Sequence, residues 1–222
     1  MQKPNSQPDR KQPAPYRLLA ILSLSLLALA YLTATVRGSQ PSALDLDAIR
    51  WVQSSLGWLD PILRGLTAAG YSPYSILSGV VVTVIVLGLG NWRGAVGVVV
   101  SFAGAQLLVD LVKRYVERPR PASALYLFDA DRVRDTSFPS GHVATATAMF
   151  GFCVYLLWAH VTNAALRYLL TGLLLLVIGL MGCSRLYAGH HFLSDVAGGY
   201  LLGVSWLMIV IVGYKAARSR LT

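Results

Sequence analysis

Charge is scarce in this chain, and the scarcity decides its broad class. Only 13% of the 222 residues are charged and 55% are apolar, with a mean hydropathy of +0.56. A soluble domain carries roughly twice that charged fraction, so a soluble domain of any size is excluded. Cysteine is almost absent. Cys153 and Cys183 both lie inside apolar runs, which argues against a disulfide framework or a thiolate metal site and for two small packing residues. Apolar–polar alternation is missing too. The hydrophobic runs are continuous, which argues for helices over a membrane barrel. Basic residues outnumber acidic ones, 19 to 10. They stand at the ends of apolar runs and in short motifs, not on an aromatic-studded soluble face, so nucleic acid is not an expected partner.

What the chain has is long hydrophobic runs, each able to cross a ~30 Å hydrocarbon core. The expected fold class is all-α, a polytopic membrane protein with six transmembrane helices at residues 17–36, 73–90, 93–115, 141–160, 164–184 and 193–214. The first run is longer than a signal-peptide core, and no strong small-x-small cleavage site follows it in a polar stretch, so it reads as a retained span. Residues 1–16 are expected to be a disordered cytoplasmic tail, 17–215 one membrane domain, and 216–222 a second cytoplasmic tail.

Segment 42–69 is too polar to span. Ile49, Val52, Leu56, Leu59, Leu63 and Leu66 recur at three- and four-residue spacing, with Trp51 and Trp58 nearby. That periodicity predicts amphipathic helices lying in the outer interface. Ser42 and Asp45 fit a capping box, and Asp60-Pro61 predicts a second helix with Asp60 as N-cap and Pro61 at its first position. Gly97, Ser101 and Ala105 share one face of the third span, and Gly199 and Gly203 one face of the sixth, which predicts close helix packing inside the protein. Basic tails at both ends and an even number of spans place both termini in the cytoplasm.

Three motifs fall at the outer ends of the spans: Lys113-x6-Arg120-Pro121, Pro139-Ser140-Gly141-His142, and Ser184-Arg185-x5-His191-x3-Asp195. Lysine brings a compact charge and arginine a bidentate fork for phosphate oxygens. Each arginine of Arg118-Pro119-Arg120-Pro121 precedes a proline and is pushed out of the helical region, so the helix ends and Arg120 can turn back over the site. Arg114 and Arg118 read as ordinary interfacial anchors. Ser140 is a candidate N-cap of the fourth span, with the open backbone N–H groups beyond it as an anion site. Gly141 permits close approach of a ligand, and His142 lies in the first turn. Gly189 lets the chain turn before His191. His191 and Asp195 are four apart, so the carboxylate can fix the imidazole tautomer. His190 has Ser194 at the equivalent spacing and is assigned a supporting role.

These motifs resemble the type 2 phosphatidic acid phosphatase superfamily, which shares them with the vanadium haloperoxidases. All the defining positions match, most firmly over residues 70–215. The resemblance implies that Lys113, Arg120, Ser140, Gly141 and Arg185 hold the phosphoryl oxygens. It implies that His191 is the nucleophile, oriented by Asp195, and that His142 protonates the leaving oxygen. It implies no cofactor and no metal, because fixed cations already neutralise the equatorial oxygens.

The leading expectation is an integral membrane lipid phosphatase acting on a lipid phosphate in the bilayer. Undecaprenyl pyrophosphate, phosphatidylglycerol phosphate and phosphatidic acid are the candidates. A lipid-linked phosphotransferase with the same site, or a non-catalytic anionic-lipid transporter, are the alternatives. Segment 42–69 with Tyr126, Leu127 and Phe128 is expected to line a lateral path for the lipid tail.

Overall fold

The computed structural model describes residues 15–128 and 136–219. The expected N-terminal tail lies outside them, apart from its last two residues, which begin the first helix. Eight α-helices follow: α1 (Pro15–Val36), α2 (Ala43–Ser55), α3 (Asp60–Ala69), α4 (Tyr74–Gly88), α5 (Trp92–Val116), α6 (Gly141–His160), α7 (Ala164–Tyr187) and α8 (Leu193–Ser219). No strand occurs among the described residues. Helix α8 continues to Ser219, so part of the expected C-terminal tail is helical.

Local chemistry sets the boundaries. Asn91 Oδ1 accepts the Gly94 N–H at 2.8 Å to start α5, and Asn163 Oδ1 accepts the Leu166 N–H at 3.0 Å to start α7. The capping box forms at α2: the Asp45 N–H donates to Ser42 Oγ and the Ser42 N–H to the Asp45 carboxylate. At α3 the start is one residue earlier than expected. Leu59 is the cap, and Asp60 and Pro61 are the first helical residues. The Asp60 carboxylate instead accepts from Arg64 Nε at 2.8 Å and from the Tyr187 hydroxyl at 2.9 Å.

Five helices, α1, α5, α6, α7 and α8, are long and apolar enough to cross a bilayer. The expected second span is different. Helix α4 has 15 residues, about 22 Å of rise, which falls short of the hydrocarbon thickness. A sixth crossing exists only if α4 is counted with the preceding segment Gly57–Ala69, from which it is bent by 81°. Helix α6 stands at the centre, packed on α5, α7 and α8, while α1 packs on α8 and α4 on α5. The small residues serve these internal seams. A Cβ on Gly97 would run into the Phe152 ring, and a Cβ on Gly199 would stand 2.7 Å from the Ser140 carbonyl oxygen. Leu169, Leu173 and Leu176 of α7 are exposed, as a lipid-facing surface requires.

The apolar stripe of 42–69 does not face the bilayer. Ile49, Val52 and Leu63 are buried, with Leu56, Leu59 and Leu66 packed around them, against Met181, Leu186 and Tyr187 of α7 and Val196 of α8. Trp51 and Trp58 point outward, 64% and 77% exposed. The period identified the apolar face correctly, but the protein covers that face.

Candidate active site

Helices α5 and α7 end, and α6 and α8 begin, at the same end of the bundle. Consecutive antiparallel helices thus bring Lys113, Gly141, Arg185 and Asp195 together from four elements. After α5, Glu117 adopts a left-handed conformation (φ 50°) and the chain leaves the helix. Arg118 to Pro121 then run across the bundle end, tied down where Ser137 N–H donates to the Arg118 carbonyl at 2.8 Å. Gly189, at φ +76°, turns the chain from α7 toward α8; a Cβ there would strike the Leu125 carbonyl.

Six of the eight expected site residues line one cavity of about 360 Å³: Lys113, Arg120, Gly141, His142, Arg185 and His191. Ser140 and Asp195 lie behind its wall, fully buried. Ser140 holds the N-cap position of α6, but its hydroxyl makes no capping bond. Its N–H donates to the Asp195 carbonyl at 3.0 Å instead, joining α6 to α8.

His191 is 2% exposed. Its Nε2 stands 3.1 Å from Arg120 Nη1. A guanidinium can only donate, so Nε2 is the accepting nitrogen and carries a lone pair. The proton then sits on Nδ1, 3.6 Å from Asp195 Oδ2. Burial, followed by Arg120, Arg185 and Lys113, holds the imidazole well below its ordinary pKa, so it is neutral near pH 7. Lys113 Nζ donates to the Thr136 carbonyl at 2.6 Å, and Arg120 Nη1 also donates to the His190 carbonyl at 2.8 Å.

His190 supports Arg185. Its Nε2 donates to the Phe128 carbonyl at 2.8 Å, which leaves Nδ1 to accept from Arg185 Nη2 at 3.0 Å. Burial and Arg185 lower its pKa to about 4. The Tyr71 hydroxyl lies 3.1 Å from the same Nδ1. His142 is placed by α3: its Nε2 donates to the Thr67 carbonyl at 3.2 Å, and its ring meets Tyr71 edge-on at 4.8 Å. A Cβ on Gly70 would collide with that imidazole. Thr67, Gly70 and Tyr71 belong to no motif and were not expected at the site.

Arg118 overturns its reading as an interfacial anchor. Arg114 is exposed, but Arg118 is 3% exposed. Its Nη1 donates to Asp195 Oδ1 at 2.6 Å and to Ser194 Oγ at 2.7 Å, and its Nη2 donates to Asp45 Oδ2 at 2.9 Å. The guanidinium stacks over the Phe192 ring at 4.5 Å. Asp45 also accepts the Ser194 N–H and hydroxyl. Burial disfavours the Asp45 carboxylate, but Ser194 and Arg118 outweigh it and hold its pKa below the ordinary value. Asp195 Oδ2 accepts the Phe192 N–H at 2.8 Å. The carboxylate behind His191 is therefore held by the segment after α5 and by its own helix start, and α2 braces that segment through Asp45 and Arg118. Its role in the sequence suggested only the histidine as partner.

The loop residues expected to line a tail path lie elsewhere. Phe128 and Tyr126 pack on His190 and do not line the cavity. The cavity runs instead past Ile76, Phe102, Met149 and Phe150 of α4, α5 and α6. An apolar groove of about 210 Å³ between α4 and α5 continues from Ile76 and Phe102 along Val80, Val84 and Val99. The arrangement can bind a compact dianion among three cations, beside one neutral imidazole and a second histidine. Among the described residues, no group of three or more His, Cys, Asp or Glu side chains is placed to hold a metal ion.

Comparison with known proteins identifies the family. The PAP2 superfamily model matches residues 94–219. Phosphatidylglycerophosphatase B of Bacillus subtilis is 28% identical over 163 residues, 69% of this chain and 74% of that one. Decaprenylphosphoryl-5-phosphoribose phosphatase of Mycobacterium tuberculosis is 34% identical over 117 residues, 52% of this chain and 59% of that one. The crystal structure of a transmembrane PAP2-type phosphatidylglycerolphosphate phosphatase from Bacillus subtilis shares the fold. Its TM-score is 0.70 at 23% identity, over 93% of this chain and 98% of that one. With more than half of its length matched and the motifs gathered at one cavity, the chain belongs to the PAP2 superfamily and is a multi-pass membrane phosphatase.

Proposed function

We propose that the protein hydrolyses the phosphate headgroup of a membrane lipid through a phosphohistidine at His191. The observation that carries this reading is His191, lining the cavity with Nε2 as its unprotonated nitrogen, 3.1 Å from Arg120 Nη1, an N–H that a bound phosphoryl oxygen would take over. Lys113, Arg120 and Arg185 neutralise the phosphoryl oxygens. Nε2 attacks phosphorus and the ester P–O bond breaks. With the phosphate dianion bound, His142 is the imidazolium: its Nε2–H donates to the Thr67 carbonyl, and its other ring nitrogen gives its proton to the departing oxygen. It then takes a proton from the attacking water, and the P–N bond breaks to release inorganic phosphate and restore His191. The Asp195 carboxylate, facing His191 Nδ1–H at 3.6 Å, stabilises the positive charge that develops on the ring. Three fixed cations do the work of a metal, so no metal takes part.

The groove between α4 and α5 supports a lipid substrate. A headgroup among the cations leaves its tail running along apolar residues toward the hydrocarbon, without leaving the bilayer. Headgroup position then decides selectivity more than tail burial does. The catalytic end faces outward, in keeping with the basic tails. The test is phosphate release and trapping. Labelled phosphate should accumulate on His191 in His142→Ala, and His191→Ala should lose turnover by at least about 10²–10⁴-fold while chelators leave the parent active. Substantial turnover in His191→Ala would refute the covalent route.

A further inference from the structure

Between the cations and the apolar groove, the cavity carries a polar band that the hydrolysis above does not use. Gln106 and Asp110 of α5 and Thr145 of α6 line it. Asp110 lies three residues below Lys113, about 4.5 Å of helix rise, the reach of three covalent bonds of about 1.5 Å. Gln106 lies a further turn down, its Oε1 3.8 Å from where a Cβ on Gly141 would stand. Thr145 is 7% exposed, and its hydroxyl has no hydrogen-bond partner. Neither the Asp110 nor the Gln106 side chain has a hydrogen bond or ion pair among the described residues. Polar side chains inside membrane helices are costly unless they are partnered. Three of them facing one cavity, directly below a phosphate site, are placed to be partnered by a bound molecule.

The groups that reach this band are those next to the phosphorylated carbon of the substrate. A polyprenyl phosphate presents only C–H there, and a diacylglycerol phosphate presents an ester. Neither offers a donor to a carboxylate or an amide oxygen. A free hydroxyl or an ammonium on the adjacent carbon does. Resting on the lipid phosphatase reading, we propose that Gln106, Asp110 and Thr145 form a subsite selecting lipid phosphates that carry such a donor beside the phosphorylated carbon. Asp110 is the specificity-determining residue: it accepts the O–H or N–H, and Thr145 completes the hydrogen bonding.

The experiment uses the full chain in mixed micelles and measures phosphate release from four lipids. Lysophosphatidic acid bears the free hydroxyl, sphingosine 1-phosphate the ammonium, and phosphatidic acid and farnesyl phosphate neither. In the parent, kcat/KM should favour the donor-bearing pair by about tenfold or more, the scale of a hydrogen bond to a charged group. Asp110→Leu should collapse that ratio toward one, and Thr145→Val should lower it in part. Asp110→Asn retains an acceptor oxygen without charge. It should preserve preference for the hydroxyl lipid and lose it for the ammonium lipid. A ratio unchanged in Asp110→Leu, with all four rates falling together, would show a merely structural or charge-balancing carboxylate and overturn the subsite. A parent active on all four lipids without preference would overturn the subsite alone. A parent releasing phosphate from none would overturn the lipid phosphatase reading and the subsite with it.

Discussion

Arg118 donates to Asp195 at 2.6 Å from one guanidinium nitrogen, while Asp195 turns its other oxygen toward His191 at 3.6 Å. The charge behind His191 is thus shared between an imidazole at the cavity and an arginine buried away from it. Arg118 in turn reaches Asp45 in α2, so a helix outside the motifs braces the carboxylate behind His191.

Arg118→Met should be strongly destabilising. It strands two buried carboxylates, and breaking a buried ion pair from one side costs about 3–5 kcal/mol. Asp45→Asn combined with Arg118→Met should recover part of the loss, since one of the two stranded charges is gone. Unfolding of the purified variants in detergent measures both. An unchanged midpoint in Arg118→Met would show that the network contributes nothing.

Gly70→Ala should damage turnover more than binding. Gly70 has a helical backbone conformation (φ −82°) that alanine adopts freely, so the effect comes from the methyl group meeting His142. A displaced imidazole should lower kcat on the order of 10²-fold with little change in KM. Parent-like kcat would show that His142 need not occupy its present position.

Two pH effects follow from the lowered histidines. In the proposed covalent route His191 attacks as the neutral imidazole, and its folded pKa lies well below 6.5. The acid limb of kcat/KM should therefore lie below the ordinary imidazole range. Removing a neighbouring cation, as in Arg120→Gln, makes protonation easier and should move the limb to higher pH. For His190 the linkage concerns stability. Its folded pKa is about 4 and its unfolded value is ~6.5, so the unfolded chain binds more protons between the two. Its contribution is complete above ~6.5 and is lost as pH falls toward about 4. Stability in detergent that stays flat or increases as pH falls through that interval in the parent, relative to His190→Asn, would contradict this sign.

The outward orientation is open to labelling. Ala124 is exposed in the short turn Ser123–Leu125 beside the site. Ala124→Cys, after replacement of Cys153 and Cys183, should react with an impermeant thiol reagent in intact cells. Reaction only after lysis would place the catalytic end inside.

Much of this protein's physics is local. An apolar run long enough for a bilayer must be helical, so α1, α5, α6, α7 and α8 were legible to within a few residues. That the motif residues would meet was legible because alternating helix ends bring them to one level. His191 and Asp195 share a face by helical spacing alone. What the linear order could not carry was the partner across space. Arg118 and Asp45 are 73 residues apart, and nothing local distinguishes a buried arginine from one snorkelling at the interface. The periodicity of Ile49, Val52 and Leu63 marked an apolar face, yet lipid and protein satisfy such a face equally. Only the docking of α2 and α3 on α7 decided between them. The same docking carries Thr67, Gly70 and Tyr71 to His142. Periodicity and spacing act along the chain, whereas desolvation and charge pairing depend on which distant surfaces close over a group. That closure is decided by the tertiary structure.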